Sequence, residues 1–307
     1  MPDICSVLSC PVCGGNLVRE GKSLLCRNTD KVHTFDVSKE GYVNLLPPGR
    51  GRNSKSGDEA EMIRARTAFL ETGAYDKLPD KVAALISRFV PKDSSECITV
   101  VDSGCGEGYH SIRFTKGVAD ITGRDVLLAA FDASKAGAAH AAKAAYRCGV
   151  APKGGIGEDF DGKALASFMT GNIFSLPLKE GCADAVVSMF APLAWEEMSR
   201  ILKEDGIVVV TASGKDHLSE MREVIYKEVI KKESSPTVGE GFEEVYRTGV
   251  KYKITLGSGR DIMNLFGMTP FCHRTPAEAV MRLEAIEKLT LTVDTDYYVF
   301  RKKNKPN

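Results

Sequence analysis

From Cys97 onward, short apolar runs rich in β-branched residues alternate with longer stretches in which apolar residues return every three or four positions. The runs are CITVVD (97–102), VLLAAFD (126–132), SFMT (167–170), ADAVVSMF (183–190) and GIVVVTA (206–212). Between them, YHSIRFTKG (109–117), SKAGAAHAAKAAYR (134–147) and AWEEMSRILKEDG (194–206) read as helices. Strands alternating with helices predict an α/β fold built on a parallel, doubly wound sheet. Further on, PAEAVMRLEAIEKL (276–289) reads as a helix and TLTVDTDYYVFRKK (290–303) as a terminal pair of strands. Residues 148–166 break the rhythm with glycines and charges and read as a loop insertion.

Ahead of this alternating region, residues 58–72 read as a helix, with Asp58 as N-cap, Glu61 in the first turn, and a packing stripe of Met62, Ala65, Phe69 and Leu70. The preceding PPGRGRNSKSG, residues 47–57, has three basic residues, three glycines, two prolines and no acid, the composition of a linker. These signals divide the chain into a front module (1–46), a basic linker (47–57) and a larger domain (58–307).

The front module is polar, and its chemistry is concentrated in CPVCGG, residues 10–15. Cys-x-x-Cys on a tight knuckle offers two thiolates to one tetrahedral ion, and Pro11 with Gly14 and Gly15 supplies the turn. The stretches Leu17–Arg19 and Lys22–Cys26 read as a hairpin turning at Glu20-Gly21, which returns Cys26 to the knuckle, with His33 in the loop beyond. A Cys3His zinc site follows, structural because four protein ligands leave no position for water. Six residues separate Cys26 from His33, more than the usual three to five, so Cys5 stands as the alternative fourth ligand.

Composition narrows the classes of function. Among 307 residues, 41 basic and 41 acidic side chains cancel, so attraction to a polyanion has to come from a local patch. Hydrophobic residues at 43% and charged ones at 27% are the balance of a globular protein, and no apolar run approaches the roughly 20 residues that cross a bilayer. The first residues have no signal-peptide pattern, which predicts a cytoplasmic protein whose nine cysteines are ligands or small core residues, not disulfides.

VVDSGCGEGY, residues 100–109, is the most informative decapeptide. Glycines at 104, 106 and 108 let the backbone turn sharply after the first strand and approach a ligand closely. The dinucleotide fingerprint would place its third glycine where Tyr109 stands. The spacing Asp102-x-Gly104-x-Gly106-x-Gly108 fits instead the loop of enzymes that use S-adenosylmethionine (SAM), with Glu107 inside it. Asp132, ending VLLAAFD, is placed to accept the ribose hydroxyls or to cap the next helix, and Asn172 and Ile173 follow a strand where they can meet the adenine edge.

CPVCGG, HTFDVSKEGYVNLLP (33–47), GDEAEMIRARTAFLETGAY (57–75), DSGCGEGYH (102–110), FDASK (131–135) and MTPF (268–271) together resemble the bacterial large-subunit rRNA guanine-N1 methyltransferases, including the branch tied to macrolide resistance. The resemblance implies a zinc module that contacts an rRNA hairpin, a Rossmann-like SAM domain, methyl transfer to guanine N1, and a chain that can form a homodimer. It implies Cys10, Cys13, Cys26 and His33 as zinc ligands, and Tyr75, Gly106, Glu107 and His217 as cofactor contacts. The chain departs from the family pattern in the long Cys26–His33 gap and in the insertion at 148–166.

The segment SMFAPLAW (188–195) lacks the NPPY motif of amine-methylating enzymes, although Phe190 and Trp195 offer rings for a presented base. Arg50, Arg52 and Lys55 in the linker, with Lys22, Arg27 and Lys31 in front, are the candidate phosphate contacts. Two other readings compete. One is a methyltransferase for tRNA or a small molecule. The other is a zinc-containing RNA-binding adaptor without catalysis, against which the intact glycines and Asp132 argue.

Overall fold

A computed structural model describes residues 3–47, 60–92, 97–226 and 235–303. Four strands with almost wholly buried residues and a fifth that is buried through its middle form the parallel centre: β5 (Ile98–Ser103), β6 (Val126–Asp132), β7 (Ala164–Thr170), β8 (Ala183–Met189) and, as the fifth, β9 (Leu202–Ser213). Apolar runs of this kind need cover on both faces. Helices α3 (Tyr109–Thr122) and α4 (Lys135–Arg147) connect β5, β6 and β7, and α5 (Trp195–Ile201) connects β8 to β9. The chain order reverses between β5 and β8, the kind of switch point where open α/β sheets bind ligands.

Two edges depart from the sequence reading. TLTVDTDYYVFRKK is not a pair of strands but the body of one, β11 (Leu289–Lys302), whose partner is β10 (Phe242–Leu256). β10 pairs antiparallel with β11, and β11 antiparallel with β9, so the sheet is mixed. The alternation of half-buried and exposed residues along β10 had no tight turn next to it to mark a hairpin, because α7 (Gly259–Gly267) and α8 (Ala277–Glu284) intervene. At the other edge, β4 (Val43–Asn44) pairs parallel with β7. The front segment therefore contributes a strand to the large sheet.

Smaller corrections are local. AWEEMSRILKEDG is helical only to Ile201, and Leu202 already opens β9. Residues Ala164–Ala166, read as part of the insertion, begin β7. The helix around Phe69 is α1 (Ala60–Leu70), and Asp58 lies outside the described residues. Helix α2 (Lys77–Phe89) buries Leu78, Val82, Leu85 and Ile86 but was hidden in a stretch with no motif.

The two faces of the sheet are covered differently. Helices α2, α3 and α4, with α6 (Ser219–Ile225), α7 and α8, bury one face. No helix links β7 to β8. On that second face, Ile4, Leu8, Leu17 and Leu24 of the front module pack with Val101, Leu127, Phe131 and Met169. A bridge between Leu8 and Leu178, and the backbone bond from the Ser9 N–H to the Pro177 carbonyl at 2.9 Å, fasten the contact.

The 148–166 stretch is the strap of this junction. The Ile156 N–H donates to the Gly41 carbonyl at 3.2 Å, and the chains cross so closely that a Cβ on Gly155, at φ +79°, would lie 2.5 Å from the Gly41 Cα. Arg19 donates to the carbonyls of Gly154 (3.2 Å) and Ile156 and pairs with Glu158 at 3.1 Å.

Candidate functional site

The front module is a three-stranded antiparallel sheet of β1 (Val18–Glu20), β2 (Ser23–Cys26) and β3 (His33–Asp36). His33 does not lie in a loop: it opens β3, and its register partner is Cys26. The six intervening residues form the connection between paired strands, so the long spacing brings the two ligands side by side. One ligand atom from each of Cys10, Cys13, Cys26 and His33 lies within 4.8 Å of the other three.

Cys10 Sγ is 3.5 Å from His33 Nδ1, and Cys13 Sγ is 3.5 Å from Cys26 Sγ. Bonds of about 2.3 Å to sulfur and 2.0 Å to nitrogen in a tetrahedron require ligand spacings of about this size, so the donor set fits zinc. Burial pushes the Cys10 thiol up to about 11, while the Gly15 backbone N–H holds Cys13 below its ordinary value. A bound dication overcomes the first effect by binding the thiolate. Cys5 is not in the cluster; its sulfur packs toward Gly157 of the strap, where burial pushes it up to about 11.

A cleft of about 1110 Å³ opens at the carboxyl ends of the central strands. Tyr75, Asp102, Gly104, Gly106, Glu107, Asp132, Asn172, Ile173 and His217 all line it, drawn from five separate stretches of chain. Gly108 stands behind the lining as N-cap of α3 at φ +85°, and a Cβ there would lie 2.6 Å from the Ala141 Cβ. The alanine-rich sequence of α4 is what lets this helix press on the glycine loop. At Gly104, φ +99°, a Cβ would come within 2.6 Å of Ala191.

The cleft floor is acidic. Asp102 accepts from the Ser111 hydroxyl at 2.5 Å, but its other oxygen is buried without a partner among the described residues. Burial, with Asp132 and Glu107 adding to it against the Ser111 bond, pushes this carboxyl up to about 7. Asp132 is not the N-cap of α4; Ser134 is, accepting from the Gly137 N–H. Asp132 instead accepts from the backbone N–H groups of Gly106 (2.9 Å) and Ser134 (2.7 Å), tying the glycine loop to the end of β6.

His217 is set by two contacts. The Asp294 N–H donates to its Nδ1 at 3.3 Å, which leaves Nε2 as the protonated nitrogen, 3.5 Å from the Tyr75 hydroxyl. Burial lowers its pKa to about 4.

The aromatic candidates separate. Trp195 is turned away from the cleft: it packs on Phe242 and Phe300 and donates to the Thr237 carbonyl at 2.9 Å. Phe190 lines the cleft, 45% exposed, with a left-handed backbone at φ +54°. Leu218, also lining, is the second non-glycine residue in that region at φ +52°. Strain of this kind costs about 1–3 kcal/mol and persists where surrounding structure imposes it.

The structure also adds residues that the sequence did not single out. Arg66, one turn beyond Met62 on α1, reaches over the glycine loop, 3.7 Å from Glu107. Phe174, 61% exposed, stands on the cleft lining with Phe190, and so does His110, whose buried Nδ1 has no partner among the described residues. Met268–Phe271 also line the cleft, so the quoted MTPF was a signal whose role needed the fold. The linker residues Arg50, Arg52 and Lys55 lie outside the described residues.

A mixed sheet with a glycine loop at its switch point, fronted by a Cys3His ribbon, defines a SAM-dependent methyltransferase with an N-terminal zinc ribbon. Residues 8–55 match the family model "RlmA, N-terminal", a zinc ribbon, and residues 101–210 match "Methyltransferase domain". A Bacillus subtilis protein named "Putative 23S rRNA (guanine-N(1)-)-methyltransferase YxjB" is 31% identical over 96% of this chain and 96% of its own length. The Streptomyces fradiae 23S rRNA (guanine(748)-N(1))-methyltransferase is 33% identical over 70% of this chain and 66% of its own. The solved structure of loganic acid methyltransferase with SAH covers 82% of this chain and 99% of that one at 9% identity and TM-score 0.50, a likeness of fold alone. The chain belongs to the 23S rRNA (guanine-N1)-methyltransferase family. Among the described residues, no helix is long and apolar enough to cross a membrane.

Proposed function

We propose that this chain transfers a methyl group from SAM to N1 of a guanine presented in a hairpin loop of large-subunit rRNA, in the cytoplasm. The observation that carries the reading to RNA is the pair of exposed rings, Phe174 and Phe190, on a cleft whose floor is the glycine loop. An unpaired base is held by stacking on such rings, and an enzyme acting on a base must take it out of its stack.

When bound, SAM would supply a methyl group on a sulfonium: the carbon–sulfur bond would break as the carbon–N1 bond forms, S-adenosylhomocysteine would be the leaving group, and the N1 proton would pass to water. The chain's own task is to align and to exclude water, worth up to about 7–11 kcal/mol. We read Asp102, Gly104, Gly106, Glu107 and Gly108 as the cofactor cradle, Asp132 as the ribose acceptor, Asn172 and Ile173 as the adenine contacts, and Tyr75 with His217 as a further wall. The unpartnered Asp102 oxygen and the acidic floor suit a ligand bearing a sulfonium and an ammonium. His217, neutral near pH 7, keeps the wall uncharged.

The ribbon is read as the hairpin-recognition module. Lys22 and Lys31 are exposed on it, whereas Arg27 is paired with Glu20 at 2.8 Å. A second copy of the chain as partner belongs to the same reading, and sedimentation velocity tests it. The function itself is tested by incubating the protein with labelled SAM and unmethylated 23S rRNA, then digesting the RNA to nucleosides. The expected product is N1-methylguanosine at one loop position; label that enters tRNA and not 23S rRNA would overturn the proposal.

A further inference from the structure

A second cleft, of about 530 Å³, lies at the seam between the front segment and the sheet, within the range of small-ligand pockets. Ala142, Ile156 and Phe168 give it an apolar floor. Lys39 beside the β4 strand, Lys143 and Arg147 on α4, and Lys153 on the strap line it, and all four are exposed. One carboxylate answers them: Glu40, 3.6 Å from the Lys143 Nζ and 3.8 Å from the Lys39 Nζ. In a chain whose total charge is zero, the residues lining this cleft carry four cations against one carboxylate. Tyr146 stands between Lys143 and Arg147 on α4 with 51% of its surface exposed.

An exposed ring among cations, above an apolar floor, is the combination that binds single-stranded nucleic acid: the ring stacks on a base and the cations take the phosphates. An acidic peptide would engage the cations and leave the ring without a role. The seam is also linked to the reaction cleft. His140 of the seam has its Nε2 3.5 Å from the Thr67 hydroxyl of α1, and the next residue back, Arg66, lines the reaction cleft.

We propose that this seam cleft binds an unpaired nucleotide of the substrate RNA near the target guanine, with Tyr146 stacked on its base and Lys143 and Arg147 on its phosphates. That the polyanion is RNA rests on the function proposed above. The ribbon then acts on RNA partly through the seam it forms with the sheet.

The test is filter binding of an in vitro transcript of 23S rRNA across a salt series, with the parent protein, Lys143→Ala/Arg147→Ala, Tyr146→Ala and Tyr146→Phe. The double variant should lose at least about tenfold in affinity, and its log–log salt slope should fall by about 0.7 per lost contact. Tyr146→Ala should lose about fivefold or more, and Tyr146→Phe should retain parent affinity because the stacking face remains. SAM affinity and zinc content should match the parent, and in methylation assays the KM for RNA should rise with kcat nearly unchanged. An unchanged slope and affinity in the double variant, or Tyr146→Phe as weak as Tyr146→Ala, would overturn the proposal. A parent that methylates 23S rRNA while these variants behave as it does sinks the seam alone. A parent that binds the transcript but methylates nothing sinks the proposed function, and one that binds no RNA sinks both.

Discussion

The ribbon and the reaction cleft solve the same problem, holding a charged or polar ligand in place, by opposite means. In the ribbon, four ligand atoms from Cys10 to His33 converge within 4.8 Å, and short strands with little core of their own are joined through them. In the cleft, nine lining residues named from the sequence come from segments as far apart as Tyr75 and His217, held by the core of the large sheet, of which Tyr75 is itself a part. The first site is made by its ligands; the second is made by the sheet. Removing one ligand should therefore dismantle the first and only weaken the second.

The largest effect expected is at the ribbon. Zinc contributes about 10 kcal/mol or more to the folding of comparable finger peptides. Cys13→Ser should release the metal, as metal analysis of purified protein would read out, and melt β1–β3, while calorimetry finds SAM affinity nearly intact. Loss of SAM binding together with the metal would break the comparison, since it would make the sheet dependent on the ribbon packed against it. Cys5→Ala is the internal control: its sulfur lies outside the cluster, so zinc should stay.

At the cleft, Gly108→Ala should be the most severe single change. It forces a side chain at φ +85° and sets a Cβ 2.6 Å from Ala141. Strain and overpacking together amount to roughly 2–6 kcal/mol. Thermal melting and SAM titration should both show the loss; a variant with parent affinity would mean that α4 moves aside freely. Asp132→Ala should follow at about 1.5–3 kcal/mol in SAM affinity, through the lost charged acceptor and the freed Gly106 N–H. Unchanged affinity in calorimetry would remove Asp132 from the cofactor reading.

The most gradual effect is a pH dependence, spread over more than two pH units. The folded-state pKa of His217, about 4, lies below its ordinary 6.5. As pH falls through 6.5 the unfolded chain takes up the proton first, so stability present above that pH is lost between about 6.5 and 4, amounting to roughly 3 kcal/mol. His217→Gln should lack this loss, so the difference in melting temperature between parent and variant should shift steadily from pH 7 to pH 4.5. A constant difference would show that His217 does not titrate with folding.

Much of this was legible in short stretches. CPVCGG announced a metal knuckle because two thiolates at that spacing reach one ion without help from the rest of the chain. Asp102 to Gly108 announced a ligand loop because a sharp turn after a buried strand needs glycine. What escaped was whatever depends on pairing across distance. Trp195 and Phe190 look alike in SMFAPLAW, yet one is sealed under Phe242 and Phe300 and the other opens on the cleft. Strand β10 could not be told from irregular chain until β11 stood beside it, and 148–166 looked like an insertion because its partners, Gly41 and Arg19, lie more than a hundred residues away.

By itself, then, the sequence determined the chemistry this protein has in hand: three of the four zinc donors, the glycine loop, Asp132 and the alternating strands, each encoded in local spacing and local turns. Only the tertiary structure decided that His33 meets Cys26 across two strands, that the ribbon covers the sheet face where no helix joins β7 to β8, and which rings line the cleft. The reason is physical. Ligand spacing and positive-φ turns are short-range constraints, whereas burial and strand pairing are settled by whichever distant segment covers a surface with the least exposed apolar area and the fewest unsatisfied backbone groups.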